Sequence, residues 1–86
     1  MHIHIANLSQ NIIESDLGKL FSAYGKVSFI VIIRDRKNDR SKGYAFLEMP
    51  LRVQGEQAIM ALNNMELDGQ HIIVREIEYK AGEFNN

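Results

Sequence analysis

The 86-residue sequence has no cysteine, so neither a disulfide framework nor a thiolate metal site is open to it, and a reducing compartment suits it best. No apolar run approaches the roughly 18 residues that a membrane-spanning helix requires. The first residues also lack the basic start and apolar stretch of an export signal. A soluble, unexported protein with no membrane partner is therefore expected. Internal repeats and low-complexity tracts are missing too, which leaves one domain over residues 1–78 and a short, flexible C-terminal tail over 79–86. Catalytic constellations are equally scarce. There is no cysteine nucleophile, no serine stands out with a histidine and an acidic partner, and the carboxylates are scattered rather than paired. Enzyme activity is not expected, and no cofactor is implied.

Charge of one dominant sign is lacking as well, since the net charge is −1. Its distribution is uneven. Residues 34–42, "RDRKNDRSK", hold Arg34, Arg36, Lys37, Arg40 and Lys42 against Asp35 and Asp39, while acidic residues outnumber basic ones in the rest of the chain. A short cationic loop of this kind suits a polyanion, although a solvated loop that only maintains solubility has the same composition.

Around this loop the apolar spacing switches between two periods. "HIHIANL", residues 2–8, alternates as a half-buried strand does, with Ile3 and Ile5 on one side and His2 and His4 on the other. From Glu14 onward, Leu17, Leu20, Phe21 and Tyr24 mark one face of a helix, with Gly25 placed as its stop. Ile13 falls at the N-cap, where it offers no side-chain acceptor. "VSFIVII", residues 27–33, reads as a second strand and residues 43–49 as a third. Pro50, the chain's one proline, ends that ladder. A second helix follows from about Val53 to Leu62, weakened by Gly55. "NNMELDGQ" reads as turn, and "HIIVREI", residues 71–77, as a fourth strand. The order β-α-β-β-α-β predicts an α+β, ferredoxin-like sandwich: a four-stranded antiparallel sheet with both helices on one face and the other face open.

Strand parity assigns side chains to those faces. In residues 43–49, Tyr44, Phe46 and Glu48 oppose Ala45, Leu47 and Met49. A carboxylate is rarely buried unpaired, so Glu48 takes Tyr44 and Phe46 to the open face with it. His2 and His4 point the same way, as do His71, Ile73 and Arg75. Leaving large aromatic side chains wet forgoes roughly 1.5 to 3 kcal/mol each. Nucleobase stacking, at about 1 to 3 kcal/mol per base, supplies a reason.

These residues resemble the RNA-recognition motif family. Its longer signature (basic, Gly, aromatic, Gly or Ala, aromatic, aliphatic, any residue, aromatic) is matched by Lys42, Gly43, Tyr44, Ala45, Phe46, Leu47, Glu48 and Met49 in all but the last place. The shorter signature is matched by Ile3, His4, Ile5, Ala6, Asn7 and Leu8, with His4 where an aromatic is usual. "DLGKLFSAYGKV", "AIMALNN" and "LDGQHIIV" are similar to the family's helix and fourth-strand segments. The resemblance implies that His4 and Phe46 lie side by side and each stack one base. Tyr44 would contact bases or sugars next to them, Lys42 and the loop cations would hold phosphates, and Asn7 would fix the end of the first strand. With the outward-facing His2 and Arg75, the expected RNA-binding set is His2, His4, Arg34, Arg36, Lys37, Arg40, Lys42, Tyr44, Phe46 and Arg75. Binding should strengthen as pH falls toward 6 and His4 gains a charge.

The resemblance is closest to stand-alone bacterial members of that family, which implies a cytoplasmic protein bound to single-stranded RNA. Single-stranded DNA would offer the same stacking surfaces. A second reading is a protein-interaction module or weak homodimer, because Phe29, Val31, Ile33 and Ile73 add more apolar surface to the open face than stacking requires. A third, metal binding through His2 and His4, lacks a third ligand nearby. No metal site is expected.

Overall fold

The computed structural model describes residues 1–78. The tail expected over residues 79–86 lies outside them. In chain order the elements are β1 (His2–Ala6), α1 (Glu14–Ser22), β2 (Phe29–Arg34), β3 (Ser41–Glu48), α2 (Arg52–Leu62), β4 (Glu66–Leu67), β5 (Gln70–His71) and β6 (Ile73–Ile77).

Four strands form one antiparallel sheet in the order β2-β3-β1-β6. The alternation seen in the sequence holds through most of these strands, and is interrupted in β2 by a register shift between Ile32 and Arg34. Ile3, Ile5, Ala45, Leu47, Ile32 and Val74 are buried on one side of the sheet, against Leu17 and Phe21 of α1 and Ala58 and Leu62 of α2. Both helices therefore cover a single face. Since all of these side chains belong to one core cluster, the parity opposite to theirs is left without a protein layer among the described residues.

Helix α1 begins without a side-chain cap at Ile13. Asp16 compensates in part, its carboxylate accepting the Ile13 N–H at 2.9 Å. Leu20 and Tyr24 pack at the margin of the core, so the apolar stripe is as wide as its spacing implies. In α2, Gly55 is buried, and a Cβ placed there would collide with the Met1 side chain, so close packing against the start of β1 accounts for a residue that is otherwise poor in helices.

The expected strand over residues 71–77 is in fact two. Gln70 and His71 pair with Leu67 and Glu66 in a separate hairpin, and only Ile73–Ile77 joins the main sheet. Asp68 and Gly69 take φ of 52° and 83°, the doubly positive geometry of a two-residue hairpin turn. Ile72 marks the break: its N–H donates to the Met65 carbonyl at 3.0 Å, and its own carbonyl accepts from Asn64 at 2.8 Å. Beyond it, the Val74 N–H at the free edge of β6 donates to Oδ1 of Asn63 at 2.9 Å. One backbone donor that the edge strand would otherwise leave unpaired is thereby satisfied.

Candidate nucleic-acid interface

The register of the two central strands sets the middle of the uncovered face. His4 of β1 lies opposite Phe46 of β3 and opposite Arg75 of β6, and Phe46 lies opposite Val31 of β2. One row, Val31, Phe46, His4, Arg75, thus crosses the whole sheet. The His4 and Phe46 ring centroids are 5.0 Å apart at an interplanar angle of 44°, and those of His4 and Tyr44 are 6.0 Å apart at 48°. Tilted neighbours at such spacings present several ring surfaces to solvent rather than stacking on one another. His4, Tyr44 and Phe46 are half-buried at their bases, which fixes their orientation while leaving contact area available.

Burial and, to a smaller extent, the Arg75 guanidinium hold the His4 imidazole below its ordinary value of 6.5. An ordinary imidazole would gain its charge toward pH 6. The surroundings of His4 displace that event to lower pH.

Gly43 occupies the second place of the longer signature, and its backbone explains why. Its φ is 88°, its carbonyl accepts the Leu8 N–H at 2.9 Å, and a Cβ would lie 3.3 Å from the Leu8 carbonyl oxygen. The approach of these two segments brings Lys42 and Tyr44 to the end of β1. A polar cleft of about 780 Å³ opens there, lined by Asn7, Ser9, Asn11, Ser41, Lys42 and Tyr44 among others. Asn7, at φ 59°, closes β1 by donating from Nδ2 to the His71 carbonyl at 2.9 Å, and its own carbonyl accepts from Nε2 of Gln70 at 3.0 Å. This is the strand-fixing part that the resemblance implied for it.

The basic loop between β2 and β3 is built rather than loose. Asp35 accepts the Lys37 N–H at 2.8 Å through Oδ1 and donates its own N–H to the Arg40 carbonyl at 2.8 Å; Asn38 accepts the Arg40 N–H through its side chain at 2.9 Å. The side chains of Arg36, Lys37, Arg40 and Lys42 are exposed, and none forms an ion pair among the described residues. Arg34 differs. Its guanidinium clasps Glu14 of α1 through two bonds of 2.6 and 3.0 Å, and this pairing, chief among several hydrogen bonds to the carboxylate, brings the Glu14 pKa down to about 2. The structure thus gathers His4, Tyr44, Phe46, Lys42 and Arg75 on or beside one face, with Arg36, Lys37 and Arg40 in the loop next to it. Arg34 is engaged elsewhere.

His2 lies further along the face, its Nε2 3.5 Å from a Glu48 oxygen and its ring 6.1 Å from that of Phe29. Phe29, Val31 and Ile73, at 44 %, 42 % and 39 % exposure, extend the apolar surface and are absent from the set expected to bind RNA. Parity had already turned them outward; only the cross-strand register shows which of them flank the rings.

Residues 3–73 match the RNA recognition motif family. The chain is 36 % identical over 72 residues to Glycine-rich RNA-binding protein 1 of Mycosarcoma maydis, covering 84 % of this chain but 41 % of that one. It is 38 % identical over 74 residues to RbpD of Nostoc sp., covering 86 % of this chain and 79 % of the other. A crystal structure of RNA Binding Protein PG1 superposes with a TM-score of 0.89 at 35 % identity, over 93 % of this chain and 96 % of that one. Sequence and shape agree over the same strands that carry the rings, and the chain belongs to the RNA recognition motif family.

Proposed function

We propose that this protein binds single-stranded RNA on the open face of its sheet. His4 and Phe46 each stack one base, Tyr44 contacts the neighbouring base or sugar, and Lys42 with Arg36, Lys37 and Arg40 holds the phosphates at the loop end of the face. Arg75, in the same row as His4, adds a cation on the β6 side. The observation that carries this reading is the placement of His4 and Phe46 at 5.0 Å on the two central strands, on the sheet face that neither helix covers among the described residues. Family membership supports it, as do the names of the fungal relative and of the solved structure, both RNA-binding proteins.

Titration of mixed-sequence single-stranded RNA tests the reading, using the native protein and a Tyr44→Ala, Phe46→Ala double variant whose fold is checked by circular dichroism. Loss of two ring surfaces should weaken binding by at least tenfold. Unchanged affinity in a folded double variant would remove the stacking mechanism. A parallel titration with DNA of the same sequence measures how far ribose 2′-hydroxyls contribute.

A further inference from the structure

Glu48 is the one carboxylate among the described residues that the four sheet strands turn toward the open face. Its place is defined by register: Phe29 of β2 lies opposite it on one side and His2 of β1 on the other. A second cross-sheet row, Phe29, Glu48, His2, therefore runs beside the row that holds Phe46 and His4. The Glu48 side chain is 32 % exposed and Phe29 is 44 % exposed; His2 Nε2 stands 3.5 Å from one Glu48 oxygen, a contact that a base edge would replace.

A phosphate is repelled at this position, at the opposite end of β3 from Lys42 and the basic loop. A nucleobase is not. A base stacked on Phe29 brings its polar edge over the neighbouring strand, where Glu48 stands. An ionised carboxylate accepts hydrogen bonds through two oxygens and donates none, so it favours an edge rich in donors. Guanine alone presents two adjacent donors, N1–H and the 2-amino group, that match the two oxygens. Cytosine and adenine offer only an amino group, and uracil a single N3–H.

We propose that Glu48 is a specificity-determining residue that reads guanine at one position of the bound strand, with Phe29 as the stacking surface for that base. This assignment rests on the reading that the open face binds RNA. It adds a third base position to the two on His4 and Phe46, and a preference that stacking alone does not supply.

Heptauridylates carrying one guanosine at each position in turn, and their inosine counterparts, which lack the 2-amino group, test it by titration against the native protein and Glu48→Gln. At one position guanosine should bind about tenfold tighter than uridine, and inosine there should lose most of that gain. In Glu48→Gln the guanosine-to-inosine ratio should fall toward one. Equal binding of guanosine and inosine at every position in the native protein overturns the assignment, as does an unchanged ratio in the variant. Failure of every oligonucleotide to bind the native protein overturns the RNA reading beneath it.

Discussion

His4 titrates below the ordinary histidine value because its partly buried position disfavours the imidazolium, and because Arg75 stands opposite it in register. Between the lowered value and 6.5, the folded protein holds fewer protons on this residue than the unfolded chain does. Stability therefore falls as pH drops through that interval and is unaffected by His4 above it. An NMR titration of the His4 ring should give a midpoint below 6.5. Arg75→Gln should raise that midpoint only part of the way, since burial, the larger cause, remains. A native midpoint at or above 6.5 would contradict this account. Placement of His4 on the open face was legible from the alternation of "HIHI" alone. Its charge was not, because Arg75 lies in a strand at the far end of the chain and meets His4 only through the β1–β6 register.

The contact between α1 and β2 depends on a carboxylate that the sequence shows only as a favourable charge in a first helical turn. Glu14 accepts two bonds from Arg34 and sits 3.4 Å from the Ile32 N–H, so it ties the helix to an edge strand. With its pKa near 2 against an ordinary 4.5, the pair contributes stability that is fully present above pH 4.5 and is lost as pH falls through 2. Partial exposure of both side chains keeps that contribution small. Denaturant unfolding of Glu14→Gln should show the missing stability at pH 7 and a flatter decline between pH 4.5 and 2; an acid profile identical to that of the native protein would refute it. Charge counting grouped Arg34 with the loop cations because Glu14 is twenty residues away in sequence and adjacent only after packing. The faces of the long strands, by contrast, were readable because each alternates cleanly, and Glu48 orients β3. The β4–β5 hairpin is not legible from alternation, since strands of two residues show none, although Asp68-Gly69 is itself a hairpin signal.

Across the whole molecule, a net charge of −1 conceals a gradient. Arg36, Lys37, Arg40 and Lys42 gather at one end of the open face, and Glu48 stands at the other. Affinity for RNA should therefore combine stacking with few phosphate contacts. If the four loop cations each neutralise one phosphate, the logarithm of the binding constant should fall against the logarithm of salt concentration with a slope of about −3. A slope implying eight or more contacts would mean that the chain uses a surface other than this one. The central claim is that bases stack on the rings of the uncovered face. Aromatic proton and carbon NMR during titration with single-stranded RNA observes those rings directly. The His4, Tyr44 and Phe46 ring signals should shift progressively to saturation, while that of Phe21, buried beneath the opposite face, stays in place. Saturable binding that leaves the three open-face rings unmoved would contradict the account.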